Sequence, residues 1–405
     1  MTVHHALLPG AAAERPSREI TLGVMGGGQL GRMFVHAAQQ MGFFTAVLDP
    51  DADSPAGRVS HHHVRAAYLD DAGLMQLAHL ADAITTEFEN VPAPALERLA
   101  ALRPVAPGAQ AVAIAQDRGK EKAHFVACGV PCAPHAVIET EAQLAAVDAE
   151  LLPGILKTSR LGYDGKGQVR VATREALAVA WHGLGGVPCV LEQMLPLAAE
   201  CSVIVARGRD GAMVHYAPQV NEHQDGILAV TQAFPADGAG VIDAAQAEQA
   251  VAATRAIAEG IGYVGVLCVE FFVLRDGRLV VNEMAPRPHN SGHYTMDACD
   301  QSQFDLQVRA LAGLPLVPPR QHSPALMLNL LGDLWFAAGS DTQQSPPWDA
   351  VLALPGTHLH LYGKVEARRG RKMGHLNITG ATPEAVRATA REAARLLGLT
   401  AASLG

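Results

Sequence analysis

The chain has 405 residues, a formal net charge of −9 at pH 7 and 18% charged residues. This length suits two or three domains with a sizeable core, and the acidic balance argues against a general nucleic-acid binder. No apolar run reaches the ~18 residues that a membrane-spanning helix needs. The six cysteines include no C-x-x-C pair, which favours reduced thiols in a cytoplasmic protein.

The first part of the chain predicts a parallel α/β domain. Residues 1–18 lack the apolar stretch of a signal peptide, and we expect them to be a disordered leader. Residues 19–116 then alternate strand and helix patterns, with "ITLGVMG", "FTAVLDP" and "AITTEFEN" as the strands. Three consecutive histidines, His61 to His63, cannot share one face of an element, so they are not expected to form a metal site.

The first strand leads into "GVMGGGQLGRM", where Gly26, Gly28 and Gly31 have the spacing G-x-G-x-x-G. A helical pattern follows, and the next predicted strand ends in Asp49. This is the context of a dinucleotide-binding fingerprint. Glycines and a helix N-terminus would suit the phosphate of a phosphorylated sugar equally well. The motif alone therefore leaves both ligands open.

A glycine-rich loop, "KTSRLGYDGKGQ", joins two predicted strands in the middle of the chain. Lys157 ends the first strand, and the glycines let backbone N–H groups turn toward an anion. The P-loop pattern is absent, and an exposed β-turn is the alternative interpretation. Further on, "LEQMLP" ends a strand with free backbone groups at a domain edge.

The hairpin predicted around residues 266–285 places Glu270 and Glu283 opposite each other. Like charges in such positions are destabilising, so a bound divalent cation is the simplest compensation, and Asn282 nearby would suit Mg²⁺. The alternative is that one glutamate pairs with Arg287 or a lysine and the register slips by one residue. Counting back from a two-residue Asp276-Gly277 turn gives the pairs Leu274–Leu279, Phe272–Val281 and Glu270–Glu283.

Polar side chains are concentrated in "APRPHNSGHYT", directly after this hairpin. Two prolines stiffen the segment, and its position beside a predicted metal site indicates an active site more than a core. Five basic residues lie close together in "YGKVEARRGRKMGHLN", within an otherwise acidic chain. They could anchor a phosphate or form a solvated hairpin tip, and the sequence leaves both interpretations open.

Taken together, these motifs resemble the ATP-grasp superfamily and, within it, the N5-carboxyaminoimidazole ribonucleotide synthetase family, from residue 19 to about residue 380. The resemblance rests on "GGGQLGRM", "TTEFENV", "QDR..EK", "GYDGKGQ", "VNEMAPRPHNSGHYT" and "YGKVEARRGRKMGHLN". It implies a mixed α/β, three-domain ATP-grasp fold: a parallel-sheet domain at 19–116, a lid domain at 117–190, a domain with the metal site at 191–325 and a substrate-anchoring subdomain at 326–405.

The same resemblance implies ATP- and bicarbonate-dependent carboxylation of 5-aminoimidazole ribonucleotide in purine biosynthesis, through carboxyphosphate. In such enzymes the glycine loop faces the ribonucleotide rather than a dinucleotide. The expected cofactor is Mg²⁺, with Mn²⁺ as a substitute, and the expected assembly is a cytoplasmic homodimer without nucleic-acid or membrane partners.

The resemblance also implies the roles of individual residues. Glu270 and Glu283 would hold the metal ion, and the catalytic residues would be Arg287, His289 and Lys157. ATP would contact Arg118, Lys157, Leu161, Gly162, Tyr163, Asp164, Gly165, Lys166, Gly167, Glu192, Gln193, Met194, Leu195, Glu200, His223, Asn282 and Glu283. The ribonucleotide would contact Gly28, Gln29, Leu30, Glu87, Tyr163, Asp164, Lys166, Arg287, Lys364 and Arg371.

Three alternatives remain. The nearest is another ATP-grasp ligase, such as a formate-dependent glycinamide ribonucleotide transformylase or a biotin carboxylase. The second alternative, based on the glycine motif, is a nicotinamide-dependent oxidoreductase. The third alternative is a non-catalytic nucleotide-binding scaffold, which the combination of Glu270, Glu283 and Lys157 disfavours.

Overall fold

The computed structural model describes residues 6–9, 19–162, 167–234, 242–337 and 341–400. Its strands form three sheets, of four, four and nine strands. No helix within these ranges is both long enough and apolar enough to cross a membrane. From the predicted leader, residues 6–9 are described, and the amide of Leu7 donates to the carbonyl of Ala312 (2.8 Å).

Residues 19–116 form the predicted parallel α/β unit, with the strand order β3-β2-β1-β4. Strand β1 is buried throughout, as expected for a sheet covered on both faces. Two details of the prediction were wrong: His62–Val64 form the edge strand β3, and the third predicted strand ends before "EFEN". The elements are β1 Thr21–Met25, α1 Gln29–Gln40, β2 Phe44–Leu48, β3 His62–Val64, α2 Asp71–Leu80, β4 Ala83–Thr86, α3 Ala93–Ala100 and α4 Ala109–Ala115.

A four-stranded antiparallel sheet follows, which we call the lid sheet, with the order β5-β8-β6-β7. The helix before it begins at Asp117, whose side chain caps the amides of Gly119 and Lys120. The predicted pair of strands around the glycine-rich loop is confirmed as β6 and β7. The elements are α5 Arg118–Ala127, β5 His135–Ile138, α6 Glu141–Ala145, β6 Gly154–Thr158, β7 Gln168–Val171, α7 Arg174–Gly183 and β8 Cys189–Gln193.

The rest of the chain builds the nine-stranded antiparallel sheet, with the order β14-β13-β9-β11-β12-β15-β17-β16 and β10 beside β9. The first of its elements are β9 Leu197–Arg207, β10 Met213–His215, β11 Gln219–Gln224, β12 Ile227–Ala233, α8 Ala244–Gly260, β13 Gly265–Leu274 and β14 Leu279–Ala285. The others are α9 Thr295–Ala298, α10 Gln303–Ala312, β15 Ala325–Leu331, α11 Trp348–Leu352, β16 Thr357–Leu361, β17 Lys372–Thr379 and α12 Pro383–Leu397.

Two predicted domain limits fall inside hydrogen-bonded structure. The limit after residue 190 lies within β8, and the limit after residue 325 lies within β15, which pairs with β12 in one continuous sheet. Composition does not reveal such pairing, because it joins strands that are distant in sequence. The parallel unit packs on the large sheet through α1 and α10, where Phe34 and Phe304 share one buried apolar cluster.

Candidate active site

A cavity of about 550 Å³ opens where residues of all three sheets come together. Its wall includes the start of α1, the start of α5, the end of β6 and the β13–β14 hairpin. Residues that are far apart in sequence therefore meet in one place. The predicted site residues on this wall are Gln29, Leu30, Glu87, Arg118, Lys157, Leu161, Gly162, Gly167, Glu200, His223, Glu270, Asn282, Glu283, Arg287 and His289.

The remaining predicted site residues fall into two groups, whose ligand contacts stay predictions. One group, Tyr163, Asp164, Gly165 and Lys166, lies outside the described residues. The other group is described but does not line the cavity: Gly28, Glu192, Gln193, Met194, Leu195, Lys364 and Arg371.

Glu270 and Glu283 face each other across β13 and β14, as predicted. The reasoning behind this prediction was nevertheless wrong in two respects, because it assumed too short a loop and no bulge. Leu274 and Arg278 close a three-residue loop, residues 275–277, in which Gly277 is left-handed (φ 84°), instead of a two-residue turn. The strand pairs next to the loop are consequently Val273–Leu279 and Phe272–Val280 instead of Leu274–Leu279 and Phe272–Val281.

A β-bulge restores the register before the glutamates are reached. Glu270 pairs with Glu283 while the next residue, Phe271, pairs with Val281, so Asn282 is the extra residue of β14. Without this bulge, Glu283 would move to the other face of the strand, because side chains alternate. Asn282 thus sets the direction in which Glu283 points.

The two carboxylates are held in different electrostatic environments. Burial would raise the pKa of Glu283, but Arg118 and Lys157 hold that pKa below its usual value; the Arg118 Nη1 atom lies 3.0 Å from Glu283 Oε2. Burial and the neighbouring Glu283 instead raise the pKa of Glu270. Glu270 Oε1 lies 3.1 Å from His289 Nε2, and among the described residues neither glutamate forms an ion pair with Arg287 or a lysine, which was the alternative prediction.

The donor set at this hairpin fits Mg²⁺. Two carboxylates and the buried Oδ1 atom of Asn282, which has no hydrogen-bond partner among the described residues, face the same cavity. The described chain holds no cluster of three or more His, Cys, Asp or Glu residues suited to a metal ion. Mg²⁺ is commonly bound by one or two carboxylates together with substrate phosphates, so two glutamates suffice.

Lys157 and Lys122 meet at the carboxylate of Glu192. Lys157 Nζ lies 3.1 Å from Glu192 Oε2 and Lys122 Nζ lies 3.4 Å from Glu192 Oε1. Burial would raise the pKa of Glu192, but the two lysines hold it below its usual value. Burial lowers the pKa of Lys157. Glu192 is buried behind the cavity wall, and its Oε1 atom has Lys122 as its ionic partner.

A second, half-buried ion pair lies on β9 and β11. His223 Nδ1 lies 2.6 Å from Glu200 Oε2. Burial would lower the pKa of His223, but the hydrogen bond to Glu200 and nearby carboxylates raise it to about 9. At neutral pH His223 is therefore a cation that faces the cavity.

The glycine loop already has anionic partners within the chain. The Gly27 amide donates to Asp49 (2.7 Å), and the Gly28 and Gly31 amides donate to the two carboxylate oxygens of Glu87 (2.9 and 3.0 Å). These carboxylates fill the anion position that a pyrophosphate takes in a dinucleotide fold. The opening motif is therefore explained without a dinucleotide, and Gln29 and Leu30 remain on the cavity wall.

Arg287 and His289 lie on the cavity wall with fixed hydrogen bonds. The Nε atom of Arg287 donates to Glu89, a residue that the sequence analysis did not single out. The Ser291 amide donates to His289 Nδ1 (3.4 Å), so His289 Nε2 carries the proton and donates to Glu270. Burial and the nearby Arg287 lower the pKa of His289 far below its usual value, which keeps this imidazole neutral.

The C-terminal basic residues have different environments. Lys364 Nζ donates to the Lys372 carbonyl (2.5 Å) and lies 5.5 Å from the centre of the Tyr362 ring. Burial, with Arg371 nearby, lowers the pKa of Lys364 to about 8. Arg371 donates to the Glu366 carbonyl (2.9 Å). Of the five clustered residues, Lys372 lines the cavity.

Sequence reasoning missed Glu89, Glu121 and Lys122 as functional candidates. The spacing of Arg118, Glu121 and Lys122 in "DRGKEK" was a usable signal, because residues i, i+3 and i+4 share one helix face. Glu89 gave no such signal, since its partner Arg287 is 198 residues away.

Three family models match the chain: a ribonucleotide synthetase preATP-grasp domain at residues 20–116, an ATP-grasp domain at 123–304 and a phosphoribosylaminoimidazole carboxylase C-terminal domain at 325–389. A curated relative, the N5-carboxyaminoimidazole ribonucleotide synthase of Brucella melitensis, is 45% identical over 359 residues, which cover 88% of this chain and 95% of the relative.

Solved structures are similar over almost the whole chain. N5-carboxyaminoimidazole synthetase from Staphylococcus aureus complexed with ADP has a TM-score of 0.85 and 35% identity, covering 97% of this chain and 99% of that one. N5-carboxyaminoimidazole synthase from Aspergillus clavatus, in complex with ADP and 5-aminoimidazole ribonucleotide, has a TM-score of 0.82 and 31% identity, covering 94% and 98%.

Proposed function

The chain belongs to the N5-carboxyaminoimidazole ribonucleotide synthase family of ATP-grasp enzymes, and on that premise we propose how its own residues carry out the reaction. The enzyme is a carbon–nitrogen ligase that uses ATP to carboxylate 5-aminoimidazole ribonucleotide. The observation that carries the assignment is one cavity in which paired carboxylates, buried cations and residues of the ribonucleotide-synthetase domain converge.

The carbon source in this proposal is bicarbonate. Bicarbonate is a poor electrophile, and transfer of the γ-phosphoryl group of ATP to one of its oxygens gives carboxyphosphate and ADP. The amine of the ribonucleotide then attacks the carboxyl carbon, or CO₂ released from it, and phosphate and a proton depart. Formate, the substrate of the alternative transformylase, would be activated as a formyl phosphate instead.

Two anions must meet in the first step, so the cations on the cavity wall have a direct role. Arg118 and Lys157 would bind ATP phosphates, and Arg287 with His289 would hold bicarbonate and then carboxyphosphate. Adenine would lie against Glu192 to Leu195, and Glu200 would bind the ribose with His223 beside it.

Glu270 and Glu283, with Asn282 beside them, would hold Mg²⁺, or Mn²⁺ in its place. When bound, the ion supplies charge neutralisation between the β- and γ-phosphates. Phosphate oxygens of the nucleotide would supply the remaining ligands.

The ribonucleotide would be bound between the glycine loop and the C-terminal basic residues. Gly28, Gln29, Leu30 and Glu87 would contact one side of it, with Tyr163, Asp164 and Lys166 of the glycine-rich loop closing over it. Lys364 and Arg371 would bind its phosphate. The glycine-rich loop would exclude water, because carboxyphosphate hydrolyses readily in water.

We further propose a cytoplasmic homodimer. All six cysteines are free, as expected in a reducing compartment. Light scattering on the purified chain tests the assembly: a mass near twice 42.5 kDa supports a dimer, and a mass near that of one chain contradicts it.

The decisive experiment for the function is ADP release with each substrate omitted in turn. We expect ADP formation to require 5-aminoimidazole ribonucleotide and bicarbonate together, with one carboxylated product per ADP. ADP release that depends on formate and glycinamide ribonucleotide instead would overturn the assignment. A nicotinamide-fluorescence titration serves as a control for the oxidoreductase alternative, and we expect no binding.

A further inference from the structure

Three charged residues on one face of α5 contact three successive residues of β14. Arg118 lies against the Glu283 carboxylate, at 3.0 Å. The amide of Met284 donates to Glu121 Oε1 at 2.7 Å, and Lys122 Nζ donates to the carbonyl of Asn282 at 2.8 Å. The backbone on both sides of Glu283 is thus hydrogen-bonded to adjacent side chains of one helix.

These contacts replace a missing strand. β14 is the edge strand of the nine-stranded sheet, and edge strands leave backbone N–H and C=O groups without partners. At the loop end of β14 the Val281 amide donates to the carbonyl of Pro131 (2.8 Å). At the glutamate end, Glu121 and Lys122 supply the acceptor and the donor that a neighbouring strand would otherwise supply.

Burial confines the side chains of Lys122 and Glu121 to these contacts. The Lys122 side chain is 0% exposed, and Glu121 is buried as well. A buried lysine is tolerated when acceptors surround it, and here they are the carbonyl of Asn282 and the carboxylate of Glu192. Lys122 therefore also joins β14 to the lid sheet, at the strand proposed to bind adenine.

The contact with Asn282 matters most, because Asn282 is the bulged residue of β14. The bulge brings Glu283 opposite Glu270, and Lys122 binds the carbonyl of the residue that makes the bulge. Loss of this bond would release the bulge, and a slip by one residue would turn Glu283 away from the cavity.

We propose that Lys122 and Glu121 are positioning residues that hold Glu283 opposite Glu270 and so form the metal–nucleotide site before ligands bind. The proposal rests on the metal site of the proposed function. Both residues act through the backbone of β14, to which they are hydrogen-bonded. Removal of such outer partners typically weakens metal affinity by roughly 10–100-fold.

The test is a titration of Mn²⁺ by electron paramagnetic resonance, with saturating ADP and at a temperature well below the melting point. Lys122→Met keeps the length of the side chain and removes its donors, and we expect Mn²⁺ to bind roughly 10–100-fold more weakly. Lys120→Met is the matched control, because Lys120 is an exposed lysine on the same helix, and we expect wild-type affinity.

Glu121 provides a second, independent pair of variants. Glu121→Gln keeps an acceptor oxygen for the Met284 amide and should retain Mn²⁺ affinity, whereas Glu121→Leu removes the acceptor and should lose it. This pair carries the test if Lys122→Met does not fold. A purely structural role would lower the melting temperature in Glu121→Leu without changing the Mn²⁺ affinity of the folded protein, and that result would overturn the proposal.

Glu283→Gln separates the failure of this proposal from failure of the metal site. If Glu283→Gln loses Mn²⁺ while Lys122→Met and Glu121→Leu retain it, the metal site stands and the positioning roles are refuted. If Glu283→Gln binds Mn²⁺ like the wild type, the metal assignment itself is refuted, and the positioning proposal with it.

Discussion

Replacing Gly167 by alanine should impair closure of the glycine-rich loop. Gly167 is left-handed, with φ of 72°, and its carbonyl accepts from the Thr158 amide (2.8 Å) at the base of the loop. A non-glycine residue in this conformation costs roughly 1–2 kcal/mol. The added Cβ would also lie 2.6 Å from Thr158 Oγ1, so this threonine side chain would have to rotate.

The expected result is a loss of about 1–2 kcal/mol from the closed state, which corresponds to a roughly 5–30-fold decrease in kcat/KM for ATP. A loop that closes poorly should also admit water, so ADP release should exceed carboxylated product. The assay is steady-state ADP release beside quantification of the product. We expect the wild type to give one ADP per product and the variant to give more.

Two controls separate backbone strain from a role of this loop. Gly185→Ala introduces the same kind of strain (φ 86°) in the lid region, with no atom within 4 Å of the new Cβ. It should lower the melting temperature without uncoupling the reaction. Adding Thr158→Ala to Gly167→Ala should recover the steric part of the loss. Equal kinetics for Gly167→Ala and Gly185→Ala would refute the proposed water-excluding role.

Three further outcomes are expected. Glu283→Gln, which removes charge but little volume, should abolish most turnover while the circular dichroism spectrum stays native. The control Glu259→Gln, an exposed change on α8, should have no effect. Normal turnover of Glu283→Gln at ordinary Mg²⁺ would contradict the proposed metal site. Arg371→Ala should raise the KM for the ribonucleotide by about one to two decades, since a charge-assisted hydrogen bond contributes about 1.5–3 kcal/mol, and the KM for ATP should not change. The control Arg368→Ala, at an exposed ion pair, should have almost no effect on either KM. Equal effects of the two changes would refute the phosphate assignment. Burial lowers the pKa of His293 to about 3, so below pH 6.5 the unfolded chain takes up a proton that the folded chain does not. The free energy of unfolding should therefore fall by up to about 1.4 kcal/mol per pH unit as pH drops from 6.5 toward 3. Denaturant midpoints at several pH values would show this decrease, and an unchanged midpoint between pH 6.5 and 5 would contradict it.

The sequence predicted the elements that rest on local patterns. The parallel unit and the strands around the glycine-rich loop follow from apolar periodicity and turn residues, which act within a few positions. The facing pair Glu270 and Glu283 was also predicted, although two errors cancelled. The loop takes in one residue more than expected, Arg275 on the β13 side, and the bulge at Asn282 adds one residue on β14, which shifts the register back. Turn chemistry allowed either loop length, and only packing against α5 selects the bulge.

The contacts that the sequence could not supply are long-range ones. Lys122 binds a carbonyl 160 positions away, and Arg287 binds Glu89 across 198 positions. Such bonds depend on how separate sheets pack, which no local pattern encodes. The glycine loop illustrates the same point, because its spacing was read correctly while its anionic partner proved to be Glu87 of the same chain.

The continuous nine-stranded sheet constrains which parts of the site can move during turnover. The carboxylate pair on β13 and β14 and Lys372 at the start of β17 belong to one hydrogen-bonded ladder, so changing their separation would require shearing several strand pairs. The lid sheet shares no strand with that ladder. It is joined to the β13–β14 hairpin by short segments that contain Pro131 and Pro196 and by Lys122, which links Glu192 to β14. The large sheet would thus be a fixed frame for the proposed metal and ribonucleotide sites, and we expect a hinge rotation of the lid sheet to deliver and release the nucleotide.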